Sequence, residues 1–344
     1  MHLGHLAIFV LDGRILINCE DFQCSKVSLS VVLWRLSLVG NWCSFFFKRK
    51  KVEELTRAIE TLTNKSVRNK KLNRIIYVVN VIFVLTLLLY LYLVIKGSIG
   101  IVLWPNTKRI NKVFSRLFSG VDYDLGQTGK AACIYLFHFF TWPFIYFSPL
   151  LLSLFYASWC FILSKQLKEL GDQLLKELPQ SGCHRRRIVI VFIKNYEELY
   201  DLAVLSEAAL SSQVFWLCSS HFVLLFRLFS KLWLTDTYIP VTLVKDSVLP
   251  TLESLCFFAI AYFASEVNYC DLAVRDRAKD VAFRLELAKE TKECGKVLSK
   301  FLKSKKVLMF SGWGMFDFTR GFLLASSGVL LSYNLLILQL NTHI

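Results

Sequence analysis

Apolar positions in this chain gather into long unbroken runs instead of alternating with polar ones. The clearest is 75–95, IIYVVNVIFVLTLLLYLYLVI, which carries no charge over 21 positions. A helix rises 1.5 Å per residue, so roughly 20 such residues cross a hydrocarbon layer ~30 Å thick. Further runs cover 29–47 with Arg35 as its one charge, then 131–163, 208–230, 248–268 and 307–341. A weaker run, 3–17, is interrupted by Asp12 and Arg14. It lacks a basic stretch ahead of its apolar part, so it reads as a short first membrane segment or a trimmed N terminus, not a cleaved signal peptide. Together the runs predict an all-α integral membrane protein of seven transmembrane helices.

Two runs are too long for one straight crossing. Residues 131–163 would extend ~50 Å as a helix, so that helix is tilted or divided. Pro143 and Pro149 predict a bend between them, because proline removes a backbone donor. Two short spans with a turn at 147–149 are the alternative. In 307–341, Gly312, Gly314 and Gly321 predict a break between a re-entrant or amphipathic lead-in helix and a spanning helix over 320–340.

Charge then sets the orientation. Connectors 48–74, 164–200 and 271–306 carry 28 Lys and Arg, whereas 18–28, 97–130 and 231–247 carry 8. The richer set belongs on the cytoplasmic side, which puts the N terminus inside and the C terminus outside. The one sequon, Asn64-Lys65-Ser66, falls on an inner connector and is expected to stay unmodified. These connectors have helical stripes of their own: Val52, Leu55, Ile59 and Leu62; Leu167, Leu170, Leu174 and Leu178; Leu298 and Phe301. Such spacing marks half-buried helices, either packed as a bundle below the bilayer or lying on lipid.

Composition narrows the function. Of 344 residues 55% are hydrophobic and 19% charged, with 29 Phe and a net charge of +15. Because the Lys and Arg sit between apolar runs, the charge points to an anionic leaflet and not to nucleic acid. Most of the ten Cys lie in or beside spans as small hydrophobes; Cys19 and Cys24 share the one outer connector where a bridge could form. Six scattered His, with no CxxC, HExxH, GxSxG or phosphate loop, offer no enzyme, metal or cofactor site.

Polar groups inside spans carry more information, because lipid cannot satisfy them. Arg35 is mid-span. Arg227 and Glu253 fall at similar depth near the outer ends of their spans, so they pair, line a polar cavity, or Arg227 snorkels to headgroups. His138 and His221 occupy outer halves, where helix-to-helix hydrogen bonds explain them as well as a ligand does. Tyr90, Tyr92, Tyr135, Phe139, Trp142, Tyr146, Phe222, Phe257 and Phe258 concentrate in the same outer region. They form a ligand pocket or an interfacial aromatic belt with helix packing. The last run, GVLLSYNLLILQL, places Ser332, Leu335, Leu336 and Gln339 on or near one face. Repeated around a symmetry axis, that face makes an apolar ring that closes by dewetting and an amide ring that meets cations.

The segment Ser332-Tyr333-NLLIL-Gln339-Leu340, preceded by Gly314-Met315-Phe316-Asp317 and Ser326–Gly328, resembles the insect gustatory receptor family of the seven-helix insect chemoreceptor group. That family's signature is Thr-Tyr, five mostly apolar residues, then Gln-Phe; here Ser332 replaces Thr and Leu340 the aromatic. The resemblance implies one seven-helix domain over 1–344 and a gustatory, ligand-gated, non-selective cation channel in the cell membrane of sensory neurons. It implies a homo- or hetero-tetramer that passes Na, K and Ca, with no cofactor. Gln339 would lie near the outer constriction, Leu335 or Leu336 at the gate, with Tyr333 packing the pore helix. A small tastant would bind an outward-facing pocket that includes Tyr90, Tyr135, His138, Trp142, Tyr146, His221, Phe222, Arg227, Glu253 and Phe257. A co-receptor subunit without its own ligand, or a transporter, are the other readings.

Overall fold

The computed structural model describes residues 22–66, 148–177, 182–234 and 240–342, with isolated positions 81, 88, 126, 129, 130, 132, 133 and 136. The run 3–17, all of 75–95 except positions 81 and 88, and residues 143–147 of the bend predicted between Pro143 and Pro149 lie outside the described residues. Six helices account for nearly all of the remainder. They are α1 (Phe22–Ser66), α2 (Ser148–Glu177), α3 (Gly182–Leu234), α4 (Pro240–Leu287), α5 (Lys292–Ser304) and α6 (Arg320–Thr342). Two-residue strands β1 (Ser311–Gly312) and β2 (Phe316–Asp317) pair antiparallel just before α6.

The long helices explain the striped connectors. At 45, 53 and 48 residues, α1, α3 and α4 would measure roughly 68, 80 and 72 Å. Each therefore joins an apolar run to a basic connector as one continuous helix. The connector stripes enter a shared core: Leu55, Leu167 and Leu298 are fully buried, with Val52, Ile59 and Phe301 packed around them. A bundle, and not helices laid flat on lipid, is what buries them. Two helical stretches among the described residues, Ser148–Glu177 and Arg185–Phe226, are long and apolar enough to cross a bilayer.

Residues 306–317 depart from the expected lead-in helix. Leu308 and Phe310 are buried while Val307 and Met309 are exposed, the alternation of an extended strand. Four consecutive apolar residues had concealed that period. The Met315 amide then donates to the Gly312 carbonyl at 2.9 Å, with φ of 53° at Trp313 and 70° at Gly314. Positive φ at both central positions defines a type I′ hairpin turn, which glycine tolerates and a bulky residue resists.

Contacts with α3 hold Trp313 in that conformation. Its amide donates to the Ser211 carbonyl at 3.1 Å, and its ring meets Phe215 at 5.7 Å and Trp216 at 6.2 Å between centroids. Ser311 completes the attachment: its amide lies 3.2 Å from both carboxylate oxygens of Glu207, to which its hydroxyl also donates. Beyond the turn, Phe316 stacks on Phe322 of α6 at 4.8 Å and 10°. One short hairpin thus ties α3 to the start of α6.

A glycine sets the approach of α5 to α4. A Cβ on Gly295 would stand 2.6 Å from the Ala282 carbonyl oxygen and 2.9 Å from the Glu286 amide nitrogen. Both are backbone atoms and cannot rotate away. Gly295→Ala is therefore expected to cost about 1–3 kcal/mol, as overpacking does, read as a lowered midpoint of thermal unfolding in detergent. An unchanged midpoint would mean that α5 stands further from α4.

Candidate functional site

Polar chemistry in the described residues concentrates at three places. The first is a buried knot in the basic half. The Asp271 carboxylate, fully buried, accepts hydrogen bonds from Tyr196 Oη at 2.5 Å, Arg275 Nε at 2.9 Å and the Leu308 amide at 2.9 Å. Arg275, itself 5% exposed, donates onward to the carbonyls of Leu302 (3.2 Å), Lys305 (2.9 Å) and Lys306. Those carbonyls end α5, where a helix leaves acceptors unmatched and its dipole favours a cation. Nearby, Lys305 Nζ sits 3.0 Å from Glu197, and the hydrogen bond to that carboxylate raises the lysine pKa. The knot is structural: its groups face backbone carbonyls, a backbone amide or one another.

The second place joins α2 to α3. Ser153 Oγ donates to the Pro149 carbonyl at 2.7 Å and lies 2.9 Å from His221 Nε2. With the serine proton on that carbonyl, Nε2 becomes the donor. Lower down, Trp159 Nε1 donates to Ser206 Oγ at 2.9 Å. His221 is fully buried. Phe222 and Phe257 meet edge to face at 6.4 Å, and Phe257 also touches Phe258 and Phe322. Of the residues predicted for a pocket, the structure thus brings His221, Phe222 and Phe257 into packed contacts between helices. Tyr90, Tyr135, His138, Trp142 and Tyr146 lie outside the described residues, as do the side chains of Arg35, Arg227 and Glu253.

The third place is a cavity of about 310 Å³ between α1, α2 and α3. Its lining is Asn41, Trp42, Phe45, Val52, Ser148, Leu151, Leu152, Phe155 and Leu210. Antiparallel packing of α1 on α3 positions this wall. Trp34 and Leu38 cluster with Leu224, and Gly40 lies so close to Trp216 that a Cβ would enter the indole ring. Asn41 follows that contact, 6% exposed, and its Oδ1 is buried without a hydrogen-bond partner. The sequence held one signal for it. Asn41 is the one amide in the mainly apolar run 29–47.

The last helix presents a different surface. Tyr333, Leu335 and Leu336 are half exposed or more, and Ser332 and Gln339 are exposed with them. The Tyr333 ring also reaches Phe226 of α3 at 6.3 Å. Leu324, Val329 and Leu331 are exposed too, so α6 shows apolar side chains around much of its circumference.

No protein-family model and no curated protein sequence matches this chain. Solved structures do. The insect olfactory receptor OR5 from Machilis hrabei superposes with a TM-score of 0.69 at 15% identity, over 98% of this chain and 87% of the receptor's. The same receptor in complex with eugenol gives 0.67 at 15% identity, with the same coverage. Identity this low speaks for architecture alone, and the agreement runs nearly end to end. The chain has the fold of an insect olfactory receptor.

Proposed function

We propose that the chain is a subunit of a chemosensory, ligand-gated, non-selective cation channel, and a gustatory one by its C-terminal signature. The observation that carries this reading is α6. Lipid or neighbouring subunits cover leucines exposed on several faces of a membrane helix, whereas a face that adds Ser332 and Gln339 suits a water-filled path. Four copies around an axis give both: apolar flanks packed between subunits and an amide-lined path along the centre. The fold shared with OR5, a receptor solved with eugenol bound, supports a small organic ligand here as well.

In this reading seven helices cross the cell membrane of a sensory neuron, with the N terminus inside and the C terminus outside. Ligand binding favours the open arrangement by binding it more tightly than the closed one. The hairpin at 311–317, attached both to α3 and to α6, is the route by which a shift among the other helices reaches the pore helix.

Patch-clamp recording from cells that express the chain tests the proposal. Gln339→Ala is expected to change single-channel conductance or cation permeability ratios severalfold, since one amide is lost from every subunit of the ring. Currents identical in both respects, at equal surface expression, would remove α6 from the pore.

A further inference from the structure

The cavity bounded by α1, α2 and α3 has a chemistry specific enough to name what it takes. We propose that it binds a small, mainly apolar alcohol or phenol whose single hydroxyl pairs with the carboxamide of Asn41. The chemosensory reading enters only in calling such a molecule an agonist; the binding itself rests on the cavity.

Size sets the first limit. A volume of about 310 Å³ is at the lower end for ligand pockets, which run from about 300 to 1,000 Å³. One aromatic ring with a short tail fits. A two-chain lipid does not.

Polarity sets the second. Seven of the nine described lining residues are apolar, and the other two are Asn41 and Ser148. With no charged side chain among these nine, an ammonium or carboxylate would meet them without a counter-charge. A sugar fails for a related reason: its many hydroxyls would meet two polar side chains and leave the others unsatisfied.

Asn41 sets the third. Its side chain is more than nine-tenths buried at the cavity wall, and its carbonyl oxygen has no partner. A hydroxyl both donates and accepts, so it serves either end of the amide. Access is from the side, since Phe45 and Phe155 line the cavity and are 42% and 40% exposed. Both lie in apolar stretches, so a molecule dissolved in lipid meets the opening directly.

The test uses the full chain, purified in lipid nanodiscs, with two probes of equal heavy-atom count. These are 3-(4-fluorophenyl)propan-1-ol and 1-butyl-4-fluorobenzene, followed by fluorine NMR and corrected for partition into empty discs. The alcohol is expected to bind about tenfold more tightly than the hydrocarbon, the ratio of one net hydrogen bond. Asn41→Leu, which keeps the bulk and removes the amide, is expected to erase that ratio while the hydrocarbon still binds. Leu152→Trp fills the cavity and is expected to abolish binding of both.

Equal affinity of the two probes for the unaltered chain would overturn the proposal without any variant. So would a preference that survives Asn41→Leu, or binding undiminished in a correctly folded Leu152→Trp chain. The readout is occupancy and not current. A chain that binds the alcohol yet conducts nothing would sink the channel reading and leave this one standing.

Discussion

Asp271→Ala is expected to remove about 3–5 kcal/mol of folding stability, the cost of leaving one member of a buried ion pair without the other. The carboxylate it deletes holds three segments at once: Tyr196 from α3, Arg275 from its own helix, and the Leu308 amide of the extended segment that leads into the hairpin. Once it is gone, the guanidinium of Arg275 stays buried with only the carbonyls at the end of α5 and the face of Tyr196, 5.6 Å from the ring centre. Those are partial charges against a full one. A matching Arg275→Met change should cost a similar amount, because it strands the carboxylate instead. Asp271→Leu combined with Arg275→Met should cost markedly less than the two single losses added together, since neither charge is then left alone. Thermal unfolding followed by size exclusion in detergent measures all of these. A loss below about 1 kcal/mol, the usual worth of an exposed pair, would show that water reaches the knot.

That knot also shows where sequence reading ends. Asp271 and Arg275 are four residues apart in a basic connector, just as Glu53 and Arg57 are in another. The second pair is a solvated i, i+4 bridge, with side chains 64% and 73% exposed. Spacing alone cannot separate them, because burial is decided by α3 and α5 arriving from residues far along the chain. Helix stripes were legible for the opposite reason. Leu55, Leu167 and Leu298 repeat at the helical period within their own segments, and any partner must cover that face. What the partner would be, lipid or protein, was not written there.

The hairpin and the cavity failed to register for two further reasons. Val307–Phe310 is apolar at every position, so it carries no period, and only the burial of alternate residues reveals its extended course. Phe222 and Phe257 were grouped because aromatics are dense in the outer runs, yet density does not distinguish a pocket wall from two rings in contact. Asn41 is the one amide of its greasy run, yet no neighbouring pattern gives it a face, whereas Gln339 follows Ser332 by seven residues and shares a face with it.

Leu336→Ser is expected to raise the current that flows without ligand about tenfold, a shift of about 1.4 kcal/mol between closed and open states. The argument rests on the pore assignment of α6 and on wetting. Leu335 and Leu336 are 50% and 51% exposed, and they stand one turn from Ser332 on one side and from Gln339 on the other. In a ring of subunits they form the narrow apolar step between two polar ones. Water leaves such a step, and ions stop with it. A serine hydroxyl from each subunit holds water there and removes the barrier without a ligand. Leu331→Ser separates the two leucines: it is 53% exposed on the same helix, about 140° around the axis from Leu336 but about 40° from Leu335. If Leu336 alone closes the step, that change leaves the resting current where it was. Equal leak from both variants would put the face of Leu335 in the closed step as well, and silence from Leu336→Ser at normal surface expression would move that step elsewhere along α6.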